Sequence, residues 1–344
     1  MTDELTLSVV DQSPVRRGGT AAEALAESVK LAQAAERVGY RRYWVAEHHN
    51  TAAFSGTSPE ILIGQIAAGT ERIRVGSGGV MLPHYSALKV AEQFLVLESF
   101  YPGRIDLGIG RAPGSDRLTA AALVYPRHEA EIGAFPEQVA DLLAFLSGEL
   151  DPGHSFAEIR AQPGPVSATQ PEVWLLGSSD YSARLAAKMG LPFSFADFFG
   201  PEMEHGHLMT DLYRNEFQPS AYCPEPKVNV TVQALCAPTE EEALFLASSR
   251  NLMRANRYWR LGVPPGLLSP EEAVNFPMSE HVRSQMASLG RNSADGDPRQ
   301  VRERIMETAK RYGAHDVGIV TNCYSFEARV RSFELIADAC GVTS

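Results

Sequence analysis

The alternation of short apolar runs with helical stretches constrains this chain more than any single motif. Apolar runs occupy residues 5–10, 42–46, 73–75, 105–109, 173–176, 192–196, 228–237 and 315–321. Helical periodicity follows them, with Leu25, Val29, Ala32 and Ala35 on one face after the first run and Leu88, Ala91 and Leu95 after the third. Helix starts are marked locally. Thr20 with Glu23, Thr239 with Glu242 and Asp297 with Gln300 have capping-box spacing, and Ser58-Pro59 supplies an N-cap and a first-position proline. Further helices are expected over residues 136–146, 181–189, 203–215 and 325–340. Strands alternating with helices predict a parallel sheet, and eight such units close a (β/α)₈ barrel. A doubly wound open sheet is the competing architecture. The expectation is an α/β TIM barrel as one unit over residues 1–344, with insertions at the C-terminal strand ends. An irregular insertion with room for short helices is expected at about 260–296, where Pro264, Pro265, Pro270 and Pro277 cluster.

Composition excludes several roles. A hydrophobic fraction of 44% with 21% charged residues suits a globular protein with a sizeable core. The net charge of −11 argues against nucleic acid, which needs a basic stripe. Cys223, Cys236, Cys323 and Cys340 lie far apart without a C-x-x-C pair, which favours reduced thiols over disulfides or zinc. The first residues show no basic region before an apolar one, and no apolar run approaches the ~20 residues of a membrane span. A cytoplasmic protein without a membrane partner is expected.

In a barrel the chemistry sits at the C-terminal strand ends. The third strand runs into Gly76-Ser-Gly-Gly79, and is expected to leave its ladder there so that a ligand can approach the backbone closely. The second ends in Glu47-His48-His49. Adjacent residues on extended backbone point opposite ways and H-E-x-x-H does not occur, so no metal site is expected. Structural histidines are one reading, and an imidazole serving as acid–base group is the other. The fourth ends in Gly108-Ile-Gly-Arg-Ala-Pro-Gly114, where Arg111 offers a guanidinium to a phosphate or the segment is a plain turn. It is not the dinucleotide fingerprint, because the last glycine is misplaced and Pro113 interrupts the helix start. The fifth ends in Gly177-Ser-Ser-Asp-Tyr181, an anion site at a helix start or simply its cap. Together these features converge on a planar phosphate-bearing ligand, without choosing among flavin, nicotinamide and sugar phosphates.

Four blocks in order carry a resemblance: Trp44-Val-Ala-Glu-His-His-Asn50, Arg74-Val-Gly-Ser-Gly-Gly-Val-Met-Leu-Pro83, Ala91-Glu-Gln93 and Pro102-Gly-Arg-Ile-Asp-Leu-Gly-Ile-Gly-Arg111. They resemble the bacterial luciferase-like flavin-dependent monooxygenases of the MsnO8 type. The resemblance implies a TIM barrel that takes FMN as FMNH₂ from a separate flavin reductase. It also implies oxidation of a small organic substrate with O₂ through a C4a-peroxyflavin. By position, His48 matches the catalytic acid–base histidine. Ser77, Gly78 and Gly79 fall in the bulge under the isoalloxazine ring, with a cis peptide at Gly78-Gly79. Arg111 matches a phosphate-binding arginine, and Gly177, Ser178 and Ser179 match the phosphate-binding turn. The pocket cysteine of luciferase falls at Gly110. The family further implies a homodimer through the second and third helices. F420-dependent oxidoreductases share the barrel and are the alternative; Arg16, Arg17, Lys89 and Arg117 could meet that cofactor's longer acidic tail. A non-catalytic flavin-binding protein is a third reading.

Overall fold

The computed structural model describes residues 5–112, 114–126, 132–164, 169–198, 205–289 and 293–342. Among these, the strands are β1 (Thr6–Asp11), β2 (Arg42–Val45), β3 (Arg74–Met81), β4 (Ile105–Gly110), β5 (Glu172–Gly177), β6 (Phe193–Ala196), β7 (Val228–Cys236), β8 (Ala294–Gly296) and β9 (Asp316–Val320). The helices are α1 (Ala21–Arg37), α2 (Pro59–Ala68), α3 (Ala87–Phe100), α4 (Arg117–Val124), α5 (Phe135–Ser147), α6 (Asp180–Met189), α7 (Gly206–Glu216), α8 (Glu240–Trp259), α9 (Pro270–Val274), α10 (Glu280–Leu289), α11 (Pro298–Tyr312) and α12 (Phe326–Cys340). Strands β1 to β7 pair in parallel in sequence order, and β9 closes the barrel between β7 and β1. The expected TIM barrel is what forms.

Two of the three capping boxes form in full, the Thr239–Glu242 pair forms only its first half, and Ser58 does not cap. Thr20 accepts from the Glu23 N–H and Glu23 accepts from the Thr20 N–H, and Asp297 with Gln300 repeats the exchange. Thr239 accepts from the Glu242 N–H. Ser58 makes no side-chain cap bond, although Pro59 does open α2.

Three expectations need correcting. Strand β3 does not end at its glycines but runs through them to Met81, with a register shift between Gly78 and Val80 against β4. A Cβ on Gly79 would stand 2.7 Å from the Gly108 carbonyl oxygen, so close approach of β4 already demands glycine there. Helix α4, unanticipated, follows β4 because Asp116 caps it, accepting from the Leu118 and Thr119 N–H groups. The insertion at 260–296 holds the short helices α9 and α10, as the sequence allowed, but also an unanticipated strand, β8. Residues 229–233 of β7 pair with β9, whereas residues 234–236 turn to β8. Fully buried Arg250 of α8 grips Asp295 of β8 with two hydrogen bonds, at 3.0 and 2.5 Å. The expected helix start at Met203 lies outside the described residues.

Along its axis the barrel interior is layered. Near the strand starts lies an ionic layer. Arg42 bonds Asp106 at 2.6 Å and Glu172 at 3.0 Å, with Asp316 at 3.8 Å. Above it Val10, Trp44, Trp174 and Val320 form an apolar layer, the two indoles meeting edge-on at 5.4 Å. At the strand ends the packing stops, and a cavity opens.

Candidate active site

The cavity holds about 220 Å³ at the C-terminal end of the barrel. Trp44 and Val10 form part of its wall, with Leu175, Leu176 and Phe198. Gly78 and Gly79 contribute bare backbone, and the peptide between them is cis. Their lack of side chains is forced on both sides. A Cβ on Gly78 would stand 3.0 Å from the Trp44 Cβ, and Gly79 is limited by Gly108 as above.

The lining continues along the ends of the neighbouring strands β4 and β5. Arg111 is exposed and lays its guanidinium over the Tyr181 ring, 4.1 Å from the centroid. The Tyr181 hydroxyl is buried and has no hydrogen-bond partner among the described residues. Gly177, Ser178 and Ser179 line the cavity beside it. Ser179 caps α6, and the Ser182 hydroxyl donates to the Ser179 carbonyl at 2.8 Å. A side chain on Gly177 would collide with Ser182, so the turn closes tightly on the helix start.

Six of the eight residues proposed from the sequence therefore share one wall: Gly78, Gly79, Arg111, Gly177, Ser178 and Ser179. Ser77 and His48 do not. Ser77 is fully buried and donates its hydroxyl to the Gly108 carbonyl at 2.8 Å, a clasp between β3 and β4. His48 sits on the loop after β2, where its N–H bonds the Gly56 carbonyl at 2.7 Å and its ring packs on Phe54 at 4.8 Å between centroids. Its Nδ1 is buried without a partner among the described residues. Trp44, four residues earlier, holds the wall position of that strand instead.

Burial, reinforced by the nearby Arg257 cation and by His49, lowers the His48 imidazole from 6.5 to about 4. The ring is therefore neutral at pH 7. A histidine depressed on folding adds stability that is complete above pH 6.5 and lost as pH falls towards 4. Asp197, at the end of β6, is raised by burial to about 6 and acts with the opposite sign in this window. Global unfolding would blur the two. The direct check is an NMR titration of His48, expected to show its imidazole shifts moving near pH 4, with a midpoint near 6.5 contradicting the burial argument.

A flat phosphate-bearing cofactor fits these residues. The floor is bare glycine backbone, the buried Tyr181 hydroxyl has no hydrogen-bond partner among the described residues, and the Arg111 guanidinium stacks on an aromatic ring. A charge-assisted contact from Arg111 and hydroxyl donors at Ser178 and Ser179 suit a phosphate. Among the described residues no group of three His, Cys, Asp or Glu side chains is placed to hold a metal, and no helix is long and apolar enough to cross a membrane.

Sequence reading missed Tyr181, Met81, Phe135 and Phe198 on this wall. Tyr181 alone carried a signal, as an aromatic one residue inside the helix that follows the serine turn.

A parallel (β/α)₈ barrel with a cavity at the C-terminal ends of its strands has its site where barrel enzymes carry their chemistry. The particular family follows from comparison: a profile of luciferase-like monooxygenases matches residues 5–316, and the chain belongs to that family. It is 39% identical to a luciferase-like monooxygenase of Escherichia coli (strain K12), covering 98% of each chain. It is 36% identical to the N-acetyl-S-alkylcysteine monooxygenase of Bacillus subtilis (strain 168), covering 97% of this chain and 98% of the other. The structure of apo-MsnO8 superposes with a TM-score of 0.88 at 36% identity, over 99% of both chains. Two more distant structures share the fold. An FMN complex of the oxygenating constituent of 3,6-diketocamphane monooxygenase from Pseudomonas putida is 17% identical, with a TM-score of 0.71 over 99% of both chains. An F420-dependent secondary alcohol dehydrogenase is 14% identical, with a TM-score of 0.67 over 99% of this chain and 100% of the other.

Proposed function

We propose that the protein is a monooxygenase that uses reduced FMN and O₂ to oxidise a small organic substrate. The observation that carries this reading is the single cavity wall that joins Gly78 and Gly79 to Arg111, Ser178 and Ser179. Arg111, Ser178 and Ser179 would hold the phosphate, and the backbone of Gly78 and Gly79 would face the flat ring. When bound, reduced FMN supplies the electrons that activate O₂. The chain's own part is to exclude water with Trp44, Leu175, Leu176 and Phe198, and to hold the reactants in register. In this reading His48, which stands off the cavity wall with a neutral imidazole, would be the acid–base group.

The F420 reading is weaker for a specific reason. Three of the cations that could meet the longer acidic tail already have carboxylate partners. Arg16 pairs with Glu27 at 2.8 Å, Arg17 with Glu272 at 2.7 Å and Lys89 with Glu92 at 3.9 Å. The FMN reading also takes a separate flavin reductase as electron source. It takes a homodimer through α2 and α3, whose Ile61, Val96 and Phe100 are exposed.

Binding of FMN, FMNH₂ and F420 measured side by side tests the proposal. FMNH₂ is expected to bind at least about tenfold more tightly than F420, a difference of roughly 1.4 kcal/mol. Tighter binding of F420, or no binding of FMNH₂, would reject it. Turnover of more than one equivalent of FMNH₂ under O₂ separates an enzyme from a flavin-binding protein. Thioethers of N-acylated cysteine are the first substrates to screen, given the name of the relative that is 36% identical.

A further inference from the structure

The Glu47 carboxylate lies at the junction of the second and third strand ends, and the mechanism above does not use it. The residue is 2% exposed and its side chain 0%. Yet it makes three hydrogen bonds. Its Oε2 accepts from the Met81 backbone N–H at 2.9 Å, and its Oε1 accepts from the Tyr85 hydroxyl at 2.7 Å. The same Oε1 lies 2.7 Å from the His49 Nε2.

Each bond holds something next to the cavity. Strand β2 leaves the ladder at Val45, whose partner on β3 is Ser77. Beyond that point β3 has no strand on that side, and the Met81 N–H would lack an acceptor. Glu47 supplies it with a side chain. Met81 follows the Gly78–Gly79 floor by two residues and itself lines the cavity. Tyr85 belongs to the next loop, which α5 fastens from behind, Gln138 donating to the Leu82 and Tyr85 carbonyls at 2.9 and 2.8 Å. On the other side, a Cβ on Gly114 would stand 3.2 Å from the Glu47 carbonyl oxygen, so the Arg111 loop packs on the backbone of the same residue. Asn50 adds a clasp to that loop, donating to Asp116 at 3.1 Å.

We infer that Glu47 is a positioning residue, whose carboxylate stands in for the missing strand and sets the distance between the glycine floor and the Arg111 side of the cofactor cavity. A buried carboxylate suits this task. It is acceptor-only and satisfies a backbone N–H, a phenol and an imidazole at once, whereas water in its place would leave the strand end free to drift. The inference rests on the FMN reading for the identity of the ligand, but not for the geometry of the clamp.

The test compares wild type, Glu47→Ala, Glu47→Gln and Tyr85→Phe in oxidised FMN affinity, the visible circular dichroism of bound FMN, and the melting temperature without FMN. Loss of a charge-assisted acceptor is expected to weaken FMN binding by Glu47→Ala about tenfold or more and to change the dichroism of what remains bound. Glu47→Gln keeps one oxygen for the Met81 N–H and offers its amide to Tyr85 and His49, both able to accept. It is expected to restore affinity to within about threefold of wild type. Tyr85→Phe keeps the Met81 bond and should resemble Glu47→Gln. A purely structural role would lower the melting temperature of Glu47→Ala and leave the dichroism of bound FMN unchanged, and that outcome overturns the inference. Should Glu47→Ala not fold, Glu47→Gln with affinity as poor as an unclamped site, or Tyr85→Phe with altered dichroism greater than that of Glu47→Gln, also overturns it. Equal FMN affinity in wild type and Glu47→Ala rejects the clamp alone, whereas wild type that binds neither FMN nor FMNH₂ rejects the FMN reading and the clamp's role in that cavity with it.

Discussion

Asp106→Ala is expected to cost about 3–5 kcal/mol of folding stability, the range for breaking a buried ion pair from one side. Asp106 is fully buried and accepts from Arg42 at 2.6 Å, from the Trp44 indole N–H at 2.9 Å and from the Arg74 Nε at 2.8 Å. Burial by itself would raise its carboxyl, but Arg42 and Arg74 hold it below the ordinary carboxylate range. The direction fixes the pH dependence. A carboxylate depressed on folding stabilises above its unfolded value near 3.8, and that contribution is lost as pH falls below it. Removing the carboxylate leaves the 8%-exposed Arg42 leaning on Glu172 and on Asp316, and leaves the Trp44 N–H unpaired beneath the cavity. Urea unfolding at pH 7 should show a lower midpoint with an unchanged slope. A loss under about 1 kcal/mol would mean that water enters the ionic layer and screens its charges.

The barrel was legible because its signals are local. Strand cores such as Val173-Trp-Leu-Leu176 are apolar on both faces, and capping residues such as Thr20 and Asp297 act within one turn. What was not legible depends on partners distant in sequence. Ala294-Asp-Gly296 has no strand pattern, and it pairs with β7 where Arg250 of α8 holds Asp295. The reach of β3 through its glycines is set by Gly108 on the neighbouring strand, which nothing in residues 72–84 reveals.

The candidate site divides in the same way. Short motifs marked the glycine floor, Arg111 and the serine turn, because backbone approach and phosphate contact need those residue types within a few positions. They could not show that Ser77 faces Gly108, nor that His48 stands off the wall while Trp44 occupies it. Side-chain direction after a strand end is decided by the loop, here by the His48 N–H bond to Gly56 and the ring contact with Phe54. Tyr181 shows the converse. Its value lies in the ring it offers to Arg111, and that contact joins two different strand ends.

Arg111→Ala is expected to weaken FMN binding by roughly 10–100-fold, the equivalent of losing a hydrogen bond to a charged group at about 1.5–3 kcal/mol. The melting temperature should stay within about 1 °C of wild type, since Arg111 is exposed and such surface changes move stability by less than about 0.5 kcal/mol. That contrast separates a ligand contact from a structural one. Arg111→Lys sharpens it: the charge remains, but the planar fork and its stacking on Tyr181 are lost, so recovery should be partial. Affinity for riboflavin, which lacks the phosphate, should respond little to either substitution. If riboflavin and FMN weaken equally, Arg111 acts on the ring side of the cavity, and the phosphate assignment of Ser178 and Ser179 falls with it. If neither weakens, the guanidinium stacks on Tyr181 without reaching the ligand, and the buried Tyr181 hydroxyl becomes the group to replace next.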